Sequence, residues 1–192
     1  MIAREHNGFH AVPHRDHRPA RSREVHNLAN VSAYFERSAL IEGDAFLGFL
    51  DQGAMAPWLT EANSQNEVVT RISAAATGSF VVGGYDTVFD GVVGTWFLPT
   101  FLDASGLRVL HYAVLMPTLD RCLERVATRQ GHGFTDEPAT RHMHEQFRLA
   151  PVDDRHVIAD DTGSADDLAA EILNRFHRGQ LTYPHEDSKT ED

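Results

Sequence analysis

At 192 residues the chain is long enough for a single domain with a sizeable core. With 42% apolar residues, 14 Gly and only one thiol, Cys122, it is no collagenous, wholly disordered or disulfide-dense polypeptide, and a reducing, cytoplasmic setting is expected. The net charge of −11 divides unevenly: residues 1–30 hold five Arg against three acids, with five of the 12 His, whereas residues 31–192 hold 12 basic and 25 acidic side chains, a body too acidic to grip nucleic acid.

The pattern predicts a basic, His-rich leader over residues 1–35, a folded body over 36–178 and an acidic tail over 179–192. In the body, SALIE at 38–42 reads as a short buried strand stopped by Gly43-Asp44, and 45–50 as an amphipathic helix. A polar and aromatic corner at 53–60 carries Pro57 and Trp58. Residues 61–79 read as a long helix with Val68, Ile72, Ala75 and Ala76 on its apolar face, closed by Gly83-Gly84. A strand is predicted at 85–90, ending at Gly91, then a helix at 96–104 and a buried strand at 109–116. A helix at 119–129 sets Leu119, Cys122, Leu123 and Val126 on one face. A loop at 131–138, a helix at 139–149, a strand at 156–160 and a helix at 164–177 follow, the last N-capped by Ser164 with Asp166 and Asp167 in its first turn. Strands separated by helices predict an α/β fold with a parallel sheet. No run reaches the roughly 18 to 20 apolar residues of a membrane span, and residues 1–20 lack an apolar signal core, so no membrane association is expected.

Ligands of open parallel sheets bind outside the carboxyl ends of the strands. Asp44 and Asp90 fall at such ends, each beside a glycine that lets a ligand approach the backbone; either takes a hydroxyl proton or holds a metal-bound water, or serves only as a helix cap. Arg121, Arg125 and Arg129 form a stripe at four-residue spacing, suited to phosphate charge or to a solvated face with Asp120 and Glu124. His142 and His144 lie two apart on a predicted helix and point to different faces, which argues against zinc. No nucleophile elbow is present. Trp58, Trp96, Phe97 and Phe101 are core residues or, for the two tryptophans, walls of an acceptor pocket.

The ordered series ALIEGDAF, PWL with a following QN, YDTVFDGVVGTWFL, LHYAVLMPTLDRCLERVATR, the TDE loop, MHEQF and HVIADDTG resembles the small P-loop kinases related to chloramphenicol phosphotransferase and gluconate kinase, over roughly residues 36–178. The resemblance implies a three-layer α/β/α fold and transfer of phosphate from ATP, with Mg2+, to a small hydroxyl-bearing acceptor. It implies Asp44 as base or acceptor anchor, Arg125 and Arg129 as lid arginines on the transferring phosphoryl group, and Asp90 as an acceptor- or metal-binding acid. Phe46, Trp58, Gln65, Asn66 and Trp96 would complete the acceptor pocket.

One part of the pattern is missing. The family begins with a strand and GxxxxGK[ST], whose backbone N–H groups and Lys hold the phosphates; this chain has no such motif, and its single lysine is Lys189. The codons for residues 16–27 (DHRPARSREVHN), read one base later, are compatible with ITGPPGAGKSTT, which places the loop one helix length before Asp44. Residues 1 to about 30 are therefore expected to be an out-of-frame stretch, joined to the body by one insertion or deletion near residues 30–35. The resemblance would leave an empty central slot between the strands at 85–90 and 109–116, to be filled by a stand-in such as residues 9–14, against which Pro13 counts. The chain as written is expected to be poorly folded without such a stand-in and inactive as a kinase. The alternative is a non-catalytic binder of a small molecule on the same fold.

Overall fold

The computed structural model describes residues 1–3, 28–128, 136–159 and 164–184. The sheet is built from β1 (Ile2–Ala3), β2 (Ser38–Glu42), β3 (Asp86–Asp90), β4 (Leu110–His111) and β7 (Thr182–Tyr183), in the order β2-β3-β1-β4-β7. A separate pair joins β5 (Val114–Leu115) to β6 (Val157–Ile158). The helices are α1 (Ala29–Ala33), α2 (Asp44–Leu47), α3 (Asn63–Val82), α4 (Leu98–Ser105), α5 (Leu119–Thr128), α6 (Glu137–Leu149) and α7 (Ala165–His177).

The sheet is mixed, which corrects the expected all-parallel one. β2 and β3 are parallel over five residues, Ser38 opposite Asp86 through Glu42 opposite Asp90. β1 runs antiparallel to both its neighbours, with Ile2 opposite Val88 and His111. Thus the slot between β3 and β4 is filled by the first residues of the chain. Residues 9–14, the expected stand-in, lie outside the described residues, as does the segment 16–27. β7 is antiparallel to β4 because α7 ends at a tight turn through Gly179 (φ 70°), which returns the chain against the sheet. A left-handed residue there needs glycine.

Side-chain alternation along the strands divides the core between the two faces. Ile2 and Val88 point to one face, where they meet Val31 and Phe35 beside α1 and Leu168, Ile172 and Phe176 of α7. Ala3 and Phe89 point to the other, against Ala74 and Val81 of α3 and Leu98 and Phe101 of α4. Phe89 meets Phe101 edge-on at 5.1 Å between centroids. Helices therefore cover both faces.

The expected strand at 109–116 divides at Tyr112 and Ala113, because its halves have different partners: Leu110–His111 pairs with β7, and Val114–Leu115 with β6. The expected helix at 96–104 opens as a 3-10 turn, Thr95–Phe97, before α4. The strand foreseen at 156–160 begins as another such turn, Asp154–His156. Ser164 caps α7 in a capping box, and its N–H and hydroxyl hold the Asp167 carboxyl below the usual range. Arg175 ties α7 to β6, its guanidinium donating to the carbonyls of Val157 (2.7 Å) and Arg155 (3.2 Å).

The buried face of α3 is not the one the apolar spacing marks. Val68 and Ile72 are about half exposed, whereas Thr70, Ser73, Ala74, Thr77, Gly78 and Val81 are buried. Close approach of α4 is the cause: a Cβ at Gly78 would overlap the carbonyl of Ser105. Small residues win this face because they let two helix backbones come together, and the larger Val and Ile are turned outward.

Candidate functional site

β2 and β3 stop together, Glu42 opposite Asp90, and the chain leaves both through glycine. The Gly43 N–H donates to the Asp90 carbonyl at 2.6 Å. A Cβ at Gly43 would stand 2.8 Å from Phe89 Cζ and 3.1 Å from Gly91 Cα, so the two strand exits touch with no room for side chains between them. This contact carries Asp44 and Asp90 to the same edge of the sheet. Asp44 is exposed as the first residue of α2, with no side-chain capping bond at that helix end; Asp90 is half-buried. Both residues thus stand at one carboxyl edge, Asp90 within the influence of the Met1 amine, and a carboxylate there is able to accept a hydrogen bond from a ligand hydroxyl.

Phe46 turns back to the core beside α3 and α4 and meets Phe49 edge-on at 5.8 Å. Gln65 and Asn66 bond the preceding corner of the chain. The Gln65 carboxamide accepts from the Met55 N–H and donates to the Met55 carbonyl, both at 2.8 Å, and Asn66 Nδ2 donates to the Pro57 carbonyl at 2.7 Å. Both amides therefore fasten the corner that holds half-buried Trp58 to α3. Trp96 lies over Gly94 and packs against Phe147 of α6, 5.5 Å between ring centroids. Arg125 is exposed on α5, which packs on α6, and Arg121 pairs with Glu124 at 3.4 Å. Arg129 lies outside the described residues. Asp44 and Asp90 share the carboxyl edge of β2 and β3, whereas Arg125 stands on α5, which packs on α6.

Sequence reasoning missed Met1. Its α-amine donates to the Phe89 carbonyl at 2.8 Å, and burial, opposed by attraction to Asp90, lowers its pKa to about 6. No pattern signals this, because a two-residue strand has no periodicity.

Among the described residues none forms the phosphate loop that ATP binding by this fold requires. A phosphate loop must follow the carboxyl end of the central strand, so that its N–H groups open toward the same edge as Asp44 and Asp90. Here β1 runs antiparallel to β3 and Met1 stands at that edge, so among the described residues no loop follows the carboxyl end of β1 there. Among the described residues no cluster of acids, His or Cys is arranged to hold a metal ion. No helix among them is long and apolar enough to cross a membrane. No family model matches the chain, and no curated protein matches it either.

Proposed function

We propose that the chain is a P-loop kinase-like domain, three-layered in plan, that keeps the acceptor side of the fold and lacks the phosphate side. As it stands it holds a small hydroxyl-bearing molecule without phosphorylating it. The observation that carries this reading is the shared position of Asp44 and Asp90 at the carboxyl ends of β2 and β3, whose exits are joined by the Gly43–Asp90 backbone hydrogen bond. Two carboxylates at one sheet edge accept hydrogen bonds from neighbouring hydroxyls and fix their orientation. The sheet order supports the kinase-like reading as well, since β2, β3, a central strand and β4 follow the order the resemblance implies. In an intact gene with the phosphate loop in frame, the same edge would serve ATP-dependent phosphotransfer, with Asp44 taking the hydroxyl proton.

Calorimetry separates the two halves of the proposal. The purified chain is expected to give no binding heat with magnesium-ATP and to bind one of a panel of gluconate, chloramphenicol and simple polyols. Replacing both acids by amides (Asp44→Asn with Asp90→Asn) should weaken that binding by about tenfold or more, the loss of charged hydrogen bonds. ATP binding or phosphorylation by this chain overturns the silent half; acceptor binding indifferent to the double variant overturns the site. A gene with the codons of residues 16–27 shifted by one base should gain ATP binding, and its failure to do so removes the kinase ancestry.

A further inference from the structure

A second cavity, of about 350 Å3, opens between the start of α4, the Asp154–His156 turn and β7, and none of Asp44, Asp90 or Arg125 lines it. Its volume lies within the roughly 300–1,000 Å3 of small-molecule sites. We propose that this cavity binds a small carboxylic acid with an apolar body about the size of a benzene ring. The inference stands apart from the kinase-like reading.

The walls are held by the protein itself. The Tyr112 hydroxyl donates to the Val93 carbonyl at 2.8 Å, and burial, with Tyr183 adding to it, pushes its pKa far up, so the ring is a neutral, fixed wall. His156 is buried, and its Nδ1 lies 2.8 Å from the Tyr112 carbonyl; a carbonyl can only accept, so Nδ1 carries the proton. Leu98, Val152 and the prolines Pro151 and Pro184 supply the apolar surface.

The polar side chains that remain are the Arg155 guanidinium, the Asp153 carboxylate and the hydroxyls of Thr95 and Tyr183, which can donate or accept. The Arg155 guanidinium, its side chain 23% exposed, meets Asp153 through Nε at 3.2 Å. The hydroxyls of Thr95 and Tyr183 lack a protein partner among the described residues. A guanidinium and two hydroxyls on one apolar cavity match an acceptor-rich anionic head, and a carboxylate suits the planar fork of arginine. Asp153 does not block this. Its carboxylate caps the Asp154–His156 turn, accepting from the Arg155 N–H at 3.0 Å, and meets the guanidinium through Nε, which leaves the two Nη groups for a ligand carboxylate.

The test titrates the full chain with 3-phenylpropionate, 3-phenylpropylamine and phenylalanine, read by calorimetry. The acid is expected to bind and the amine not. Arg155→Gln should weaken the acid by about tenfold or more, as loss of a charged hydrogen-bond donor does, with an unchanged melting temperature. Val152→Trp, which fills the cavity from a half-buried position, should abolish binding and so tests the site independently of Arg155. Phenylalanine binding as tightly as the acid identifies amino acids as the source of the carboxylate; its failure identifies simple acids. Equal binding of acid and amine, no binding of the acid, or binding unchanged in Arg155→Gln or Val152→Trp overturns the proposal.

Discussion

Gly43 and Asp90 are joined through their backbones, the N–H of the first donating to the carbonyl of the second at 2.6 Å, at the point where two parallel strands end in register. The bond depends on the absence of a side chain. Gly43→Ala would place a methyl 2.8 Å from the buried ring of Phe89 and 3.2 Å from the Asp90 carbonyl oxygen. The ring is buried and packed edge-on against Phe101, and the methyl also meets the backbone of Asp90 and Gly91, so the strand exits are expected to part, with a loss of about 1–3 kcal/mol in urea unfolding. Asp44 and Asp90 would move apart with them, so acceptor binding should fall together with stability.

The α3–α4 contact predicts a contrast that reverses a hydrophobicity scale. Gly78→Ala adds one methyl on a helix, a change that favours helix formation, yet here it meets the backbone of Ser105, which has no flexible end to yield. A loss of about 3 kcal/mol or more is expected on denaturant unfolding, at the upper end for overpacked cores. Ile72→Ser, which removes a large apolar group, should stay within about 0.5–1 kcal/mol because Ile72 is 53% exposed. Equal losses in the two variants would show that α3 is rotated relative to the face described here.

Gln65 offers a test of local order. Its amide reproduces a backbone pair with Met55, donating and accepting at 2.8 Å. Gln65→Leu removes both bonds at a half-exposed position, so global stability should drop by only about 1–2 kcal/mol. Amide exchange at Met55 and proteolysis within residues 51–59 should accelerate, while exchange in β3 stays slow. Gln65→Glu keeps the acceptor for the Met55 N–H and loses the donor, and should fall between the two.

What the sequence discloses depends on the length of the signal. β2 (SALIE) and β3 (DTVFD) are five-residue stretches with strand-forming centres, ended by Gly-Asp and Asp-Gly, so their ranges and the two carboxylates at their ends could be foreseen within a residue. The capping box at Ser164 and Asp167 was equally local. By contrast, Ile2–Ala3 and Thr182–Tyr183 become strands only because β3 and β4 offer them unpaired edges, and two residues carry no period. Val68 and Ile72 misled because periodicity reports where apolar residues recur, not how near a neighbouring backbone can come. Gln65 and Asn66 show a similar limit: an amide near a candidate site looks the same in sequence whether it faces a ligand or a loop carbonyl.

The buried amine of Met1 makes stability depend on pH in a window of its own. An α-amine ordinarily titrates near 8; in the folded chain burial lowers this to about 6, against the attraction of Asp90. Below the lower value both states carry the proton, and the folded state bears the cost of a buried ammonium. Between the two values the unfolded chain keeps its proton while the folded chain has released it, so unfolding takes a proton up and stability rises with pH. Above the upper value the amine is neutral in both states and the rise ends. The gain across the window is at most about 3 kcal/mol, since each unit of displacement corresponds to about 1.4 kcal/mol. Urea midpoints measured from about pH 5.5 to 8.5 should climb accordingly, and acetylation of the amine, which abolishes its titration, should remove that part of the slope. An identical pH profile for the acetylated and free chains would mean that Met1 does not sit with its amine against the Phe89 carbonyl, and that β1 fills the central slot in some other way.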